Sequence, residues 1–143
     1  MMDFGSRFGR TVSRRLKSEK IVWLTTVGPD GTPQPRPVWF YWDGASLLIY
    51  SQPQGRKLDY IRRQPIVALN LNTDPEGSDV AARPRPRVLG TASLAEDAPP
   101  ADKHGAYRRK VRRGIADLDM TPGSFARDYS GAIRVTPEKL RGF

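Results

Sequence analysis

The sequence predicts a small antiparallel β-barrel with short flanking helices, and three observations lead to that fold class. Segments rich in β-branched and aromatic residues recur along the chain. Tight turn sequences join the early segments, and no long helix lies between them to support a parallel crossover. The length of 143 residues suits a single domain, residues 1–143, with its own hydrophobic core.

The first two elements are a helix and a strand. Residues 1–15 form a basic lead-in, and residues 7–17 are predicted to be helical, with Val12 and Leu16 on one face. Residues 21–27 (Ile-Val-Trp-Leu-Thr-Thr-Val) are predicted to form the first strand. Because this segment is apolar at alternate and intervening positions alike, we expect both of its faces to be buried.

A hairpin and a short helix follow. Strands are predicted at residues 34–42 and 47–50, and Asp43-Gly44 between them is a strong hairpin signal. Residues 56–63 are predicted to form a short helix that ends before a proline.

The remaining elements complete a six-stranded barrel. A fourth strand is predicted at residues 66–72, and a loop at 73–82 leads to a fifth strand at 88–94. A helix is predicted at 101–118 and a last strand at 132–135. No internal repeat and no linker divides the chain.

The second predicted strand carries proline at every other position, namely Pro33, Pro35 and Pro37. Since alternate backbone groups of a strand point to the same side, three missing N–H donors lie along one edge, and no continuous strand can pair there. Such an edge either protects against aggregation or is occupied by a ligand, and the proline pattern alone favours neither interpretation. The neighbouring Gly55-Arg56-Lys57 sequence favours the ligand.

Two basic residues, Arg56 and Lys57, occupy the first turn of the helix predicted at residues 56–63, which is an unusual position for cations. A helix N-terminus presents unpaired N–H groups and the positive end of the dipole, so Arg56 and Lys57 are locally disfavoured there. An anion bound among them would reverse that cost. We therefore predict a phosphate site at Gly55, Arg56 and Lys57, beside an aromatic wall.

Composition agrees with an anionic partner. The formal net charge is +9, which favours an anionic partner. That partner is either nucleic acid or a small molecule that carries phosphate or several carboxylates. The chain contains no cysteine, which excludes disulfides, thiolate metal sites and cysteine nucleophiles. No apolar run is long enough for a membrane span, and the N-terminus lacks a signal-peptide pattern. A cytoplasmic protein is expected.

A set of short motifs, taken in order, resembles the pyridoxamine-phosphate-oxidase-like split barrels. The motifs are residues 28–33 (Gly-Pro-Asp-Gly-Thr-Pro), residues 36–44 (Arg-Pro-Val-Trp-Phe-Tyr-Trp-Asp-Gly), Tyr50-Ser51, Gly55-Arg56-Lys57 and residues 130–137 (Ser-Gly-Ala-Ile-Arg-Val-Thr-Pro). The resemblance covers about residues 16 to 143. Within the superfamily the chain is most similar to the small actinobacterial branch assigned to the deazaflavin coenzyme F420.

The resemblance implies a fold and a set of cofactor contacts. It implies a six-stranded split barrel that forms a homodimer, with cofactor sites at the interface. The cofactor-binding residues that it implies are Arg36, Pro37, Val38 and Trp39 beside the tricyclic ring, and Ser51, Gln54, Gly55, Arg56 and Lys57 around the phosphate. The flavin branch of the family uses FMN at the same place, so FMN is the alternative cofactor.

Further basic residues favour the deazaflavin, whose tail carries an oligoglutamate. Arg83, Arg85 and Arg87 alternate with prolines and would share one face of an extended segment. Arg85 and Arg87 are therefore included among the predicted cofactor contacts. A second cluster lies at residues 108–113. An ordinary solvated face is the alternative for each cluster.

The resemblance implies hydride transfer between the reduced cofactor and a small conjugated organic substrate. The cofactor carries the reactive centre, so no acid–base pair is required, and no catalytic side chain is assigned. His104, the single histidine, is expected to be structural, as are Asp117 and Asp119, which lack the partners of a metal site.

Four aromatic residues are candidates for a ring-stacking wall: Trp23, Trp39, Tyr41 and Trp42. At least two of them are expected to serve packing only, and Trp39 is the candidate for the pocket because it adjoins the open edge. Tyr50 is expected in the core.

Three other functions stay open at this point. A small basic barrel with aromatic residues also suits single-stranded nucleic acid, but the aromatics here lie within apolar strands, so nucleic-acid binding is the least favoured. A cofactor carrier without fast turnover and an FMN-dependent oxidoreductase would use the same pocket.

Overall fold

The computed structural model describes residues 4–71 and 86–141 of the chain. In order, these residues form α1 (Arg7–Ser18), β1 (Ile21–Val27), β2 (Pro33–Trp39), β3 (Tyr41–Trp42), β4 (Leu47–Ser51), α2 (Arg56–Arg63), β5 (Ile66–Leu71), β6 (Arg87–Leu94), α3 (Gly105–Asp117), α4 (Pro122–Asp128) and β7 (Gly131–Arg141). The strands make one curled antiparallel sheet in the order β2-β1-β5-β6-β7-β4-β3. This half-barrel with flanking helices confirms the predicted fold class.

The strand count is seven among the described residues, not the predicted six, because the second predicted strand is divided at Phe40. The Phe40 side chain is fully buried, and its N–H donates to the carbonyl of Lys20 at 3.2 Å. After this residue the chain leaves β2 at one edge of the sheet and enters β3 at the other edge. The division therefore brings the two edges of the half-barrel together.

The predicted hairpin is confirmed, with its turn built around Asp43. Its Oδ1 accepts the N–H groups of Ala45 at 2.8 Å and Ser46 at 2.7 Å. Gly44 has a φ of +96°, a conformation that glycine adopts without strain. Arg134 of β7 adds an ion pair to the Asp43 carboxylate at 3.4 Å.

Strand β2 is an edge strand of the described sheet, as its prolines predict. It pairs only with β1 there, and Pro33, Pro35 and Pro37 lie opposite Val27, Thr25 and Trp23. Because the β1 pairing uses the donors of the intervening residues, the outer edge presents carbonyl acceptors and lacks the proline N–H groups.

The expected burial of both faces of β1 is wrong. Burial alternates along the strand, and Ile21 and Trp23 are 36% and 40% exposed. Apolar composition alone cannot separate a doubly covered strand from one whose outer face lies at the surface, since both favour the same residues.

The helices and the last strand also differ from prediction. Helix α3 begins at Gly105 rather than residue 101, because residues 100–103 form a turn and His104 is the N-cap. Helix α4 was not predicted, although Thr121, Pro122 and Ser124 form a capping box with proline in the first turn. Strand β7 extends to Arg141 because it pairs along β6. Residue 72 and the predicted loop at 73–82 lie outside the described residues.

Two hydrophobic clusters lie on opposite sides of the sheet. The larger packs α1 and α2 against the strands, and Val12 and Leu16 are buried there as predicted. The smaller joins β4 to α3 and α4 through Tyr50, Tyr107 and Phe125. It fixes the helices that form one wall of the cavity described below. Within residues 4–71 and 86–141, no helix is both long enough and apolar enough to cross a bilayer.

Candidate functional site

A cavity of about 700 Å³ lies between the edge strand β2, the end of β4 and the helices α2, α3 and α4. Eight of the predicted cofactor-binding residues line it: Arg36, Pro37, Val38, Trp39, Ser51, Gly55, Arg56 and Lys57. The fold thus brings two segments, separated by a hairpin in the sequence, to the same space. The size suits a small-molecule site.

One end of this cavity is cationic. Lys57 is half-buried, and its burial, followed by the neighbouring Arg36 guanidinium, holds the pKa of its ammonium below the usual range. Among the described residues, no carboxylate forms an ion pair with Arg36, Arg56 or Lys57. The cationic end therefore carries uncompensated positive charge.

The start of α2 adds backbone donors to the same end. Its N-cap is Gly55, which has no side chain to accept the N–H groups of the first turn. A Cβ at Gly55 would lie 3.1 Å from the carbonyl oxygen of Gln52, so the turn is tightly closed. The acid of the first turn, Asp59, pairs with Arg62 at 3.0 Å. Ser51, buried at the end of β4, also lines the cavity.

The other end is aromatic. The rings of Trp39 and Phe125 lie 5.5 Å apart between centroids, and Phe125 stacks on Tyr129 at 4.4 Å. Helix α3 approaches Trp39 so closely that a Cβ at Gly114 would come within 2.5 Å of the indole. The position of Trp39 is therefore set by α3 and α4 together.

Two tyrosines lie beneath the aromatic end. Tyr50 and Tyr107 pack edge to face with centroids 4.6 Å apart. The Tyr50 hydroxyl donates to the carbonyl of Pro99 at 2.6 Å, and burial raises the pKa of Tyr50 to about 12. Burial raises the pKa of Tyr107 still further, with smaller contributions from Tyr50 and Tyr129. Tyr50 is in the core, as predicted, and also lines the cavity.

Three predicted contacts are not brought to the cavity by the described part of the structure. Gln54 is exposed in the turn before α2 and does not line it. Arg87 lies on β6, opposite Asn70 and Arg141, and does not line it either. Arg85 lies outside the described residues, as does Arg83.

The second basic cluster, on α3, also stands apart from the cavity. Its arginines are exposed, whereas Lys110 is half-buried between α1 and α3. The Lys110 ammonium donates to the carbonyl of Leu16 at 3.3 Å and lies 3.7 Å from the centroid of the Phe40 ring. Burial lowers the pKa of Lys110 to about 8.

Of the four candidate aromatics, Trp39 alone lines the cavity in the described structure. Trp42 is core and packs against Phe4, whereas Tyr41 contacts the His104 ring. Trp23 lies on the outer face of β1. These placements confirm that at least two of the four serve packing.

The expected structural role of the remaining polar residues is consistent with their positions. His104 caps α3, its Nδ1 accepting the N–H of Tyr107 at 3.1 Å. Asp117 ends α3, and Asp119 adopts a left-handed φ of 56° after it. Residues 4–71 and 86–141 contain no cluster of acidic or histidine side chains that could hold a metal ion.

Several lining residues were missed from the sequence, chiefly Tyr60, Tyr107, Phe125 and Tyr129. Phe125 lies in α4 and Tyr129 is its C-cap residue four positions later, so the capping box together with this spacing was the available signal. Nothing in the sequence ties α3 to β2.

Comparison with protein-family models identifies one family. A family model described as pyridoxamine 5'-phosphate oxidase matches residues 9–143. A search of curated proteins finds no match.

Solved structures give the same fold. An F420 reductase is 26% identical with a TM-score of 0.66, and 90% of this chain and 94% of that one are covered. A Listeria innocua protein assigned as a pyridoxamine 5'-phosphate oxidase is 25% identical with a TM-score of 0.66, covering 94% and 96% of the two chains. The heme storage protein HutZ of Vibrio cholerae, 17% identical with a TM-score of 0.65 and coverage of 96% and 94%, shares the fold.

Proposed function

The chain belongs to the pyridoxamine 5'-phosphate oxidase family, and from this premise we propose that it is an oxidoreductase that binds the deazaflavin coenzyme F420 in the cavity beside β2. Its substrate is a small conjugated organic molecule. The observation that carries the proposal is the cationic end, where Arg36, Arg56 and Lys57 meet without a carboxylate partner among the described residues.

The residues present fit the cofactor's phosphate. Lys57 is held partly out of water near a second cation, a position that costs free energy until an anion is bound. The uncapped first turn of α2 offers N–H groups to the same anion. Arg56, Lys57 and these donors would hold the phosphate, and Arg36 would approach it from β2.

The open edge of β2 fits the ring system. Its outer carbonyls are acceptors without neighbouring donors, and those of Pro37 and Trp39 belong to residues that line the cavity. The N–H groups of a tricyclic ring would donate to such an edge. Trp39 and Phe125 would exclude water from the ring's reactive face.

Reduced deazaflavin, when bound, supplies a hydride to an organic acceptor. The contribution of this chain is to fix the phosphate at α2, to hold the ring against β2 and to keep an acceptor near it in a site poor in water. No side chain is assigned as a proton donor in that transfer.

The deazaflavin is preferred to FMN because of the F420 reductase, whose identity to this chain is 26% over nearly its whole length. The proposed basic track for the oligoglutamate gains no support from Arg87, which does not line the cavity. FMN in the same cavity, or a carrier that binds the deazaflavin without turnover, are the alternatives that the experiment below separates.

We also propose a homodimer with the cofactor sites at its interface. Ile21 and Trp23 are exposed apolar side chains of β1, and Ile21 also lines the cavity. Light scattering should then give a mass near twice 16.0 kDa. The cytoplasmic location stays a prediction.

The test is a fluorescence titration with coenzyme F420 and with FMN. We expect the wild type to bind F420 at micromolar concentration or below and more tightly than FMN. Lys57→Ala and Arg56→Ala should each weaken binding about tenfold, typical of a charge-assisted hydrogen bond. Arg63→Ala, at the exposed far end of the same helix, is the control and should leave the F420 affinity unchanged.

Unchanged affinity in both Lys57→Ala and Arg56→Ala would overturn the phosphate assignment, and tighter binding of FMN than of F420 would select FMN as the cofactor. Tight F420 binding without reduction of any quinone or nitro compound would indicate that the protein is a carrier of the cofactor and not an enzyme.

A further inference from the structure

Helix α1 carries a row of exposed cations along its outward side. The opposite side of the helix packs into the core through Val12 and Leu16, which are fully buried. The exposed cations recur every three or four residues, a spacing that keeps them on one side, and they are Arg7, Arg10, Arg14 and Lys17. At 1.5 Å of rise per residue the row is about 15 Å long.

Helix α3 carries a second group of exposed cations. They form two pairs four residues apart, Arg108 with Arg112 and Arg109 with Arg113. Helix α1 contains no carboxylate, and α3 contains one, Asp117, at its last position. Within residues 4–71 and 86–141, no carboxylate forms an ion pair with any cation of the α1 row or of the α3 group.

A contact between the two helices brings these cations next to one another. The Lys110 ammonium of α3 donates to the carbonyl of Leu16, in the last turn of α1, at 3.3 Å. Arg113 lies about one turn along α3 from Lys110. Glu19, whose carboxylate acts on Lys110, is already paired with Arg15 at 2.5 Å. The α1 row and the α3 group are together called the basic helical face.

The charges of the basic helical face are unfavourable in the free protein. Like charges three or four residues apart on a helix repel one another. Helix α3 has no acidic residue in its first turn and no basic residue in its last, so its charges do not complement the helix dipole. Helix α1 begins with Arg7 and also has no acidic residue in its first turn. A polyanion bound along the face would relieve this repulsion.

The composition of the basic helical face favours a phosphodiester backbone as that polyanion. Apart from Lys17 its cations are all arginine, whose planar guanidinium binds phosphate through two parallel hydrogen bonds. A row of cations suits a repeating anion better than a single one. A bilayer is disfavoured, because the apolar side of α1 is buried in the core and is not available for insertion.

We propose that the basic helical face binds the phosphodiester backbone of nucleic acid without reading its base sequence. None of the cations of this face lines the cavity beside β2. The binding therefore needs neither the cofactor nor the oxidoreductase function proposed above, and the two can be tested separately.

The experiment measures binding of the full chain to a fluorescently labelled DNA duplex of about 20 base pairs, by anisotropy at about 50 to 200 mM salt. We expect a dissociation constant of micromolar order at about 100 mM salt, and an affinity that falls steeply as salt rises. The double variants Arg10→Ala/Arg14→Ala and Arg109→Ala/Arg113→Ala each remove two phosphate contacts. Each should weaken binding about tenfold and reduce the slope of log K against log salt by about 2.

Arg63→Ala/Lys139→Ala is the matched control, since it removes the same charge from exposed positions on α2 and β7. It should keep the salt slope of the wild type. Circular dichroism and urea titration check that all the variants are folded, which is expected because alanine is a strong helix former. A slope reduced as much in the control as in the α1 and α3 variants would overturn the proposal, because net charge alone would then account for binding.

Two competitors identify the partner. Poly-L-glutamate and vesicles made of equal amounts of phosphatidylglycerol and phosphatidylcholine are added at the same concentration of negative charge as the duplex. We expect neither to displace the duplex. Displacement by polyglutamate would show a surface for any polyanion, and displacement by the vesicles would show a membrane site; either result contradicts the proposal. So does failure of the wild type to bind the duplex at about 50 mM salt.

Discussion

The indole of Trp39 packs directly on Gly114, at a place where a single added methyl group would come within 2.5 Å of Cζ2. This contact joins the edge strand to α3, two elements that are far apart in the sequence. It makes the shape of the cavity depend on a helix position that has no side chain.

Gly114→Ala should move Trp39 rather than unfold the protein. The clashing atoms belong to the end of a side chain that can rotate, and alanine gains about 1 kcal/mol over glycine in a helix, so the free energy of unfolding should change by less than about 1 kcal/mol. Binding of F420 should weaken about tenfold as the indole enters the cavity. Gly123→Ala in α4, where the new Cβ would meet nothing closer than 3.7 Å, is the control. Unaltered tryptophan fluorescence and cofactor affinity in Gly114→Ala would contradict this arrangement.

Cofactor binding should depend on pH through Lys57. Its pKa is lowered in the free protein, first by burial and then by Arg36, and a bound phosphate would raise it again. Binding therefore takes up a proton as the pH approaches the lowered pKa, and affinity falls as the pH rises through it. Calorimetry in two buffers of different ionisation enthalpy measures this uptake. Lys57→Arg should keep binding and lose the proton uptake; uptake that persists would exclude Lys57 as its source.

Lys110 should make stability depend on pH in the alkaline range. Its pKa is about 8 when folded, against 10.5 for the unperturbed group, with burial the main cause and Glu19 and Lys20 nearby. Between these values the unfolded state binds more protons, so the free energy of unfolding of the wild type should rise with pH relative to Lys110→Met. Urea titrations at pH 8 and 10.5 give this difference directly. A constant difference would show that the Lys110 ammonium is solvated.

Gly90→Ala should destabilise the fold. The added Cβ would lie 2.5 Å from the carbonyl oxygen of Thr136, a backbone atom of the neighbouring strand that cannot move aside as a side chain can. The register between β6 and β7 shifts at this same position. We expect a loss of about 2–3 kcal/mol in the free energy of unfolding by urea titration. Ser93→Ala, at an exposed position of the same strand, should stay within about 0.5 kcal/mol of wild type.

The sequence by itself determined the elements whose signals are local. The hairpin at Asp43-Gly44 follows from turn chemistry, the edge position of β2 from three alternating prolines, and the cationic helix start from Arg56 and Lys57. Each signal arises within a few residues, because backbone dihedrals, missing donors and helix dipoles act at short range.

Only the tertiary structure decided which of these pieces meet. The crossing at Phe40 depends on a buried ring and a hydrogen bond to Lys20, and the aromatic end of the cavity depends on α3 and α4 packing against Trp39. The same packing leaves Arg87 away from the cavity and places Tyr107 of α3 in its wall. These relations are contacts between residues distant in sequence, and their free energy comes from shared burial, which no local pattern records.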